Sequence, residues 1–357
     1  MKILFDCRYT RLERHDGISR YTSGLVTALG ELHPVTMLIS DRRQLTMLPD
    51  LPWVMGPSPT GITEPLASLL LNKFKPDVVF TPMQTMGPWG RKFRLVSTVH
   101  DLIYYSNPTP PRNLPWPIRL IWRLYHLSWA PQRLLLRSAD EHVAVSDTTK
   151  QLMVDNHLTP HPITIVSDAV EAPDTVRGSP SRGRDLVYMG SFMPYKNVEL
   201  LMRAMHLLPE YHLHLLSRAS ATDEARLRAL APADSVTFHG GVTDAQYHEV
   251  LSTAAALVTA SRAEGFGLPL VESMAVGTPV VVSDIPVFRE IGGDAAVYFD
   301  PESPASFAGA IRSLEDDDRW MSRSQLSAQQ ASTYRWENSA QALLQVLQRV
   351  STTEPRG

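Results

Sequence analysis

The feature that most constrains the fold of this chain is an alternation of short apolar segments with amphipathic ones, which stops once and then starts again. Such an alternation is typical of parallel strands that are joined and covered by helices. The interruption, EAPDTVRGSPSRGR at 171–184, is polar and aperiodic, so we interpret it as a linker. The expected strands are 2–7, 35–40, 77–80, 94–101, 141–146 and 162–167 before the linker and 185–190, 211–217, 236–241, 256–261, 278–284 and 295–300 after it.

The fold class predicted by this pattern is α/β, with two similar halves and a cleft between them. Sheets of this kind bind ligands beyond the carboxyl ends of their strands. We place the boundaries at 1–172 for the first domain and 173–335 for the second, and we expect 336–357 to form a C-terminal helix that packs back on the first domain. Helices are expected to begin near Gly17 and after Ser146, a residue type that caps helices.

Composition excludes several classes of protein. The net charge of −3 gives no sign of nucleic-acid binding. The only cysteine, Cys7, excludes an internal disulfide and a cysteine-based zinc site, and we expect it to be a buried residue that ends a strand. The N-terminal segment meets Asp6 and Arg8 before it reaches the length of a signal peptide, and no run approaches the roughly 18 apolar residues of a membrane span. We therefore expect a cytoplasmic protein.

The stretch EGFGLPLVE at 264–272 comes just after an expected strand, where a ligand would bind. Pro269 suits the first turn of a helix, and Gly277 suits its C-terminal end. The free N–H groups and the positive dipole end of such a helix bind anions. Because Gly265 and Gly267 let the backbone approach closely, we expect a diphosphate there.

Two glutamates flank this expected anion site. Glu272 lies in the predicted first turn of the helix, where a carboxylate tolerates a diphosphate if it binds hydroxyl groups such as a ribose diol. Glu264 would reach the other side of the diphosphate, where a transferred sugar would lie. The motif thus predicts a site for a nucleoside diphosphate sugar. The alternative is a helix N-terminus with two incidental glutamates.

These residues resemble the signature of retaining glycosyltransferase family 4, in which two glutamates are separated by seven residues. The family has the GT-B fold, in which two Rossmann-like domains face each other across a cleft. The resemblance covers nearly the whole chain. Similar segments are DGISRY (16–21), STVHDL (97–102), VAVSDTTK (143–150), GSFMPYKN (190–197), HGGVTD (239–244) and AVGTPVVVSDIPVFREI (275–291).

The resemblance implies roles for individual residues in a second domain that binds the nucleotide sugar. Glu264 would contact hydroxyls of the donor sugar, Glu272 would hold the ribose, and Lys196 would bind the diphosphate. Backbone N–H groups for the donor would come from Phe266, Gly267 and Leu268.

In the first domain, which would bind the acceptor, Gly17 would let a helix N-terminus approach the donor phosphate or the acceptor. His100, at the end of an expected strand, would touch the donor sugar, although a lone histidine is more often structural. Many family members carry an arginine where this chain has Ser191, which we still assign to donor binding. The arginines that could replace that charge are Arg262, Arg218 and Arg20.

We expect neither a metal nor another cofactor, because no expected strand ends in a DxD motif or in a cluster of His, Asp and Glu. The acidic run at 315–318 is expected to be solvated. Lys196 and the helix N-terminus would then stabilise the leaving nucleoside diphosphate electrostatically. The resemblance further implies retention of anomeric configuration, through a front-face reaction in which the departing phosphate takes the proton of the acceptor.

The donor is expected to be GDP-mannose rather than a UDP-sugar. Val242 and Asp244 are assigned to donor binding, and Asp244 could accept both the ring N–H and the amino group of a guanine. Its alternative role is that of a helix cap. The segments DGISRYT and PYKN are most similar to mannosyltransferase-type members of the family.

The aromatic and arginine-rich segment 112–137 is the candidate for binding a glycan or glycoside acceptor. Tyr104, Trp116, Arg119 and Arg123 are the residues assigned to it. A core-packed helix with a basic outer edge is one alternative, and a helix on an anionic membrane surface is another. For the whole chain, a sugar-nucleotide epimerase, a phosphorylase and a non-catalytic glycan or nucleotide binder are the competing functions. The sequence does not indicate an oligomeric state.

Overall fold

The computed structural model describes residues 1–12, 16–110, 115–171 and 183–352. The chain forms two compact units, the first made of residues 1–110, 115–169 and the segment from 335 onward, and the second of 170–334. The predicted linker falls mostly on 172–182, which lie outside the described residues, as does Arg112.

The first unit contains a parallel seven-stranded sheet in the order β3-β2-β1-β4-β5-β6-β7. Its strands are β1 (Ile3–Asp6), β2 (Val35–Ile39), β3 (Trp53–Met55), β4 (Val78–Thr81), β5 (Arg94–Val99), β6 (Glu141–Ala144) and β7 (Ile163–Ile165). Its α-helices up to the linker are α1 (Gly17–Leu32), α2 (Ala67–Leu71), α3 (Ile103–Ser106), α4 (Trp116–Tyr125), α5 (Ala130–Leu136) and α6 (Asp147–Asp155), with 3₁₀ turns at Arg42–Met47, Glu64–Leu66 and Asn72–Phe74.

The second unit contains a parallel six-stranded sheet in the order β10-β9-β8-β11-β12-β13. Its strands are β8 (Asp185–Tyr188), β9 (His212–Leu215), β10 (Val236–Phe238), β11 (Ala256–Thr259), β12 (Val280–Ser283) and β13 (Val297–Phe299). Its α-helices are α7 (Val198–Ala204), α8 (Ala221–Arg228), α9 (Asp244–Thr253), α10 (Leu268–Ala275), α11 (Pro286–Gly292), α12 (Pro304–Arg312) and α13 (Asp317–Ala331), with 3₁₀ turns at Pro194–Lys196 and Met205–Leu207.

All the strands expected from the sequence are present, and most end earlier than their apolar runs. The sequence missed β3, because its three apolar residues are too short a run between two prolines to indicate a strand, and it lies at the sheet edge with Trp53 and Met55 exposed. Both predicted helix starts are confirmed. The carboxylate of Asp16 caps α1 at Gly17, and the hydroxyl of Ser146 caps α6.

The last helix, α14 (Trp336–Thr352), belongs to the first unit and packs along α1. A side chain at Gly24 of α1 would overlap the indole of Trp336, so glycine is required there. The hydroxyl of Ser339 donates to the carbonyl of Ser167 at 2.9 Å. Within the described ranges, every helix is too short or too polar to cross a bilayer.

Candidate functional site

The second sheet changes its direction of winding at β8, which pairs with β9 on one side and with β11 on the other. In doubly wound sheets, ligands bind outside the carboxyl ends of the two strands at such a switch point. The loop after β8 carries Lys196, and the loop after β11 carries Glu264. The strand order therefore places both predicted residues where this rule puts a ligand.

The side chains of Lys196 and Glu264 meet. The Nζ atom of Lys196 lies 2.5 Å from Oε1 of Glu264, and the hydroxyl of Ser261 donates to the same oxygen at 2.7 Å. The two side chains are 17% and 12% exposed, so a ligand could still reach them. The N–H of Arg262 donates to the carbonyl of Tyr195 at 2.7 Å, which joins the two loops through their backbones.

The loop after β8 is held by polar contacts on each side of Lys196. The hydroxyl of Tyr188 donates to the carbonyl of Ser191 at 2.6 Å, and burial, together with the charge of Glu264, raises the pKa of that phenol. A Cβ at Gly190 would lie 2.7 Å from the same hydroxyl. Asn197 has a left-handed backbone (φ 53°) and donates to the carbonyl of Pro301 at 2.7 Å, which fixes the end of the turn that carries Lys196.

The loop after β11 and the helix that follows it have the structure that Gly267, Pro269 and Gly277 predict. Gly267 has φ 99°, and a Cβ there would lie 2.9 Å from the ring of Phe288, so both the backbone angle and the space require glycine. Pro269 lies in the first turn of α10 as expected. Gly277 has φ 78°, and its N–H donates to the carbonyl of Met274 at 3.0 Å, which confirms it as the C-terminal stop.

The position of Glu272 differs from the prediction. Because α10 begins at Leu268, Glu272 lies in the second turn of the helix and not in the first. It is four residues after Leu268, hence on the same side of the helix, and it is buried. The side chain of Phe266 is also buried and meets the ring of Tyr334 edge-on at 5.4 Å, so only its backbone could serve a ligand.

The residue that caps α9, in the loop after β10, is not Asp244, for which this role was considered from the sequence. Thr243 caps α9 and forms a capping box with Gln246, whereas Asp244 is the first residue of the helix. The carboxylate of Asp244 is therefore not the cap. Val242 is half-buried in the loop, and Ser191, in the loop after β8, is exposed.

The arginines considered as replacements for the missing charge have other contacts. Arg262 forms an ion pair with Glu302 at 2.6 Å, and Arg218 donates to the carbonyl of Gly240 at 3.1 Å. Arg20 lies in α1, in the first unit.

His100 directly follows β5 in the first unit, and its Nε2 lies 2.8 Å from the carbonyl oxygen of Pro82, to which it donates. Its ring meets that of Tyr21 edge-on at 4.9 Å. Burial lowers the pKa of His100 to about 4, so the imidazole is neutral at pH 7. The carboxylate of Asp101, the next residue, accepts from the N–H of Ile103 at 3.1 Å and so helps to order the loop. A Cβ at Gly17 would meet no described atom within 4 Å, which leaves the start of α1 open.

A buried ionic cluster at the end of β1 was not identified from the sequence as part of a site. The guanidinium of Arg8 pairs with Asp6 at 2.8 Å and with Glu64 at 2.7 Å, and all three residues are buried. The only signal for it in the sequence was the charged pair of Asp6 and Arg8 at the end of an apolar strand. Cys7 between them is buried, and burial raises its pKa, as expected for a structural thiol.

Among the described residues, no three His, Cys, Asp or Glu side chains come together as metal ligands. The acidic run at 315–318 is exposed, and Asp316 caps α13.

The helix expected to contact the acceptor is not packed in the core. All residues of α4 are described, and none of them is buried, so the core-packed alternative is wrong for this helix. Tyr104 meets the ring of Trp122 edge-on at 5.1 Å, while Trp116 is 76% exposed. The part that Tyr104, Trp116, Arg119 and Arg123 play toward an acceptor stays a prediction.

Comparison with known proteins gives curated relatives as well as solved structures. Over 318 residues, 84% of this chain and 87% of the relative, the chain is 26% identical to the O-antigen chain mannosyltransferase of Salmonella typhimurium. It superposes on sucrose-phosphate synthase from Thermosynechococcus elongatus with a TM-score of 0.75, 18% identity and 98% coverage of both chains. For Anabaena HepE in complex with UDP and glucose, the TM-score is 0.72 at 18% identity, with 98% of this chain and 100% of that chain covered.

Two family models match successive parts of the chain. Glycosyltransferase Family 4 matches residues 15–172, and Glycosyl transferases group 1 matches residues 173–332. The matches follow the two Rossmann-like units and together extend over most of the sequence. The chain therefore belongs to glycosyltransferase family 4 and has the GT-B fold.

Proposed function

We propose that this chain is a retaining mannosyltransferase that moves mannose from GDP-mannose to a hydroxyl group of a glycan or glycoside, without a metal or another cofactor. The observation that carries the proposal is the contact between Lys196 and Glu264 at the switch point of the second sheet. The similarity to a mannosyltransferase over most of the chain supports the choice of sugar.

The ion pair of Lys196 and Glu264 explains how one site can hold both parts of the donor. A diphosphate competes with the single carboxylate of Glu264 for the ammonium of Lys196, since it brings more negative charge. When Lys196 turns to the diphosphate, Glu264 becomes free to accept hydrogen bonds from the sugar hydroxyls. The N-terminus of α10, with Gly267 and Leu268, adds N–H donors for the phosphate, and Glu272 binds the ribose diol.

The reaction then follows from where charge develops. The bond between the anomeric carbon and the phosphate oxygen breaks, and the acceptor oxygen bonds to that carbon from the same face, through an oxocarbenium-like state. The proton of the acceptor hydroxyl passes to the departing phosphate oxygen. Lys196 stabilises the negative charge that grows on the diphosphate, which is electrostatic catalysis.

Asp244 supports guanine as the base of the donor. Because Thr243 already caps α9, the carboxylate of Asp244 is not needed for that purpose. Two hydrogen bonds to a guanine would be charge-assisted, whereas uracil offers a single ring N–H. The second candidate is a UDP-sugar transferase, which the HepE complex with UDP and glucose favours on the ground of fold alone.

A donor panel tests the proposal. Thermal unfolding is measured with GDP, UDP, GDP-mannose and UDP-glucose, since a ligand at 100 times its Kd raises stability by about 2.7 kcal/mol. Transfer to mannosyl glycoside acceptors is then followed with the donor that stabilises the chain, and the configuration of the product is read by NMR. We expect stabilisation by GDP and an α-linked product. Stabilisation by UDP alone would select the second candidate, and binding without transfer to any acceptor would indicate a non-catalytic binder.

A further inference from the structure

The first unit has an exposed apolar surface that carries only positive charge. Between Asp101 and Asp140 the sequence contains five arginines and no aspartate or glutamate. Ile121 of α4 is 66% exposed, Leu127 is 77% exposed and Leu134 of α5 is 73% exposed. A single exposed apolar residue needs no explanation. The helix α4, however, has no buried residue and lies among several exposed apolar side chains, which does require one.

An open pocket of about 520 Å³ adjoins this surface, formed by α5, α6 and the segment that leads into β7. Its cationic lining residues are Arg133, Arg137 and Lys150, beside His157 and His161, and none of the described residues that line it is acidic. Like charges gathered without a carboxylate repel one another, and a bound anion relieves that repulsion.

The helix α5 connects the two features. It presents Arg133 to the pocket and the exposed Leu134 to solvent, while Arg137 lines the pocket directly after the helix. The hydroxyl of Tyr125, at the end of α4, donates to Gln132 of α5 at 3.2 Å. The apolar surface and the basic pocket therefore form one continuous face, called here the basic–apolar face: residues 116–137 together with the pocket.

We propose that the basic–apolar face docks the first unit on a bilayer that contains anionic phospholipids. The apolar side chains of α4, Leu127 and Leu134 enter the boundary between headgroups and acyl chains, as in helices that lie on membranes. A lipid phosphate occupies the pocket between Arg137 and Lys150. The combination of apolar side chains with arginines matches a surface that is apolar below a layer of negative charge.

The charges disfavour the other occupants of such a face. A second copy of the chain would bring arginines against arginines across a two-fold axis, because the same surface faces itself in such a dimer. A sugar acceptor stacks on aromatic rings, but it does not need the aliphatic residues Ile121, Leu127 and Leu134. A free phosphate would fill the pocket and leave these residues in water.

The test is flotation of the full chain with vesicles. The vesicles contain either phosphatidylcholine alone or phosphatidylcholine with about 30% phosphatidylglycerol, an anionic lipid that gives the vesicle surface a negative potential. We expect partition into the anionic vesicles at least tenfold above that into the neutral ones, and a steep loss in salt. Equal partition into both, or none into either, would overturn the proposal.

Two pairs of variants separate the contributions. Arg137→Gln/Lys150→Gln removes two charges, each of which contributes about fivefold to partition, so that a loss of at least tenfold is expected. The matched control is Lys73→Gln/Lys92→Gln, two exposed lysines of the same unit, with a change below about twofold. Arg133 is left intact, because it also donates to the carbonyl of Asn156 at 2.9 Å.

Ile121→Gln/Leu127→Gln should also lower partition about tenfold, compared with Leu69→Gln/Leu70→Gln in α2, which are 51% and 42% exposed. Circular dichroism and melting confirm that each variant is folded. Unchanged partition in both test pairs would contradict the proposal. Stabilisation by inorganic phosphate without vesicle binding would show that the pocket binds a soluble anion instead. A dimer in sedimentation that dissociates in these variants would show that the face mediates self-association.

Discussion

The ammonium of Lys196 lies 2.5 Å from the carboxylate of Glu264, although the two residues are 68 positions apart in sequence. Each residue is held by the turn that carries it, Lys196 by the left-handed Asn197 and Glu264 by the hydroxyl of Ser261. In the proposed reaction this ion pair opens when the donor binds. The first two predictions test its two members separately.

Replacement of Lys196 by alanine should lower turnover at least tenfold, which corresponds to about 1.4 kcal/mol of transition-state stabilisation. The loss arises because no ammonium would then meet the charge on the leaving diphosphate. Steady-state kinetics with saturating donor measure it, with the exposed Lys73→Ala as control. Wild-type turnover in Lys196→Ala would mean that another cation, such as Arg262, serves the phosphate.

Alanine substitutions of Glu264 and Glu272 should affect different quantities, turnover in one case and nucleotide affinity in the other. Glu272→Ala should weaken the binding of free nucleoside diphosphate, since this residue is assigned to the ribose. Glu264→Ala should lower turnover more than nucleotide affinity, because its partner is the sugar. Calorimetry with the nucleotide, set beside kcat, distinguishes them, and equal losses of affinity in both variants would refute the assignment.

Transfer should proceed in EDTA. The proposed stabilisation of the leaving group uses Lys196 and the N-terminus of α10, and neither needs a divalent cation. Initial rates are compared in EDTA, in magnesium and in manganese. Loss of turnover in the chelator with recovery in either metal would show that the electrostatic account is wrong.

The base of the donor is tested at neighbouring positions of one loop. Asp244→Ala should weaken GDP far more than UDP, since each hydrogen bond to a charged group contributes about 1.5–3 kcal/mol. Thr243→Ala is the matched control, because it removes the cap of α9, at a cost of about 0.5–2 kcal/mol in stability, without touching that carboxylate. If Asp244→Ala weakens both nucleotides equally, the assignment of guanine fails.

The first unit should lose stability in mild acid because of His142. This residue is fully buried in β6, with Ser97 Oγ 2.9 Å from its Nδ1 and the carbonyl of Leu136 2.9 Å from its Nε2, and burial lowers its pKa to about 4. The unfolded chain, with a pKa near 6.5, therefore binds the proton first as the pH falls. The stabilising contribution of neutral His142 is complete above about pH 6.5 and is lost as the pH falls from about 6.5 to about 4. At pH 5 the free energy of unfolding is lower by about 2 kcal/mol for this reason.

Denaturant unfolding at a series of pH values measures this slope. His142→Gln should flatten it, whatever its effect on stability at pH 7, and His33→Gln at the surface of the same unit should not. His100, whose pKa is lowered in the same direction, keeps a part of the slope in both variants. A full slope in His142→Gln would contradict the prediction.

The amino-acid sequence determined the elements of this protein and the type of motif at their ends. The period of apolar residues is local, so it identified every strand except β3, whose three residues lie at an exposed edge. Caps and stops are also local, which is why α1 begins at Gly17 and why Ser146, Pro269 and Gly277 took the expected roles. Where the expectations and the structure differ locally, at Glu272 and at the alternative cap of α9, the difference is one residue in a helix start.

The tertiary structure decided which of these elements meet. The neighbours of a strand depend on how helices pack on the whole sheet, so only the fold could show that β8 lies beside β11 and that Lys196 therefore reaches Glu264. The sequence pattern of α4 is that of an amphipathic helix whether or not another element covers the helix. Only the tertiary structure shows that α4 is exposed. Burial is a property of the assembled chain, because the atoms that exclude water come from segments far away in sequence.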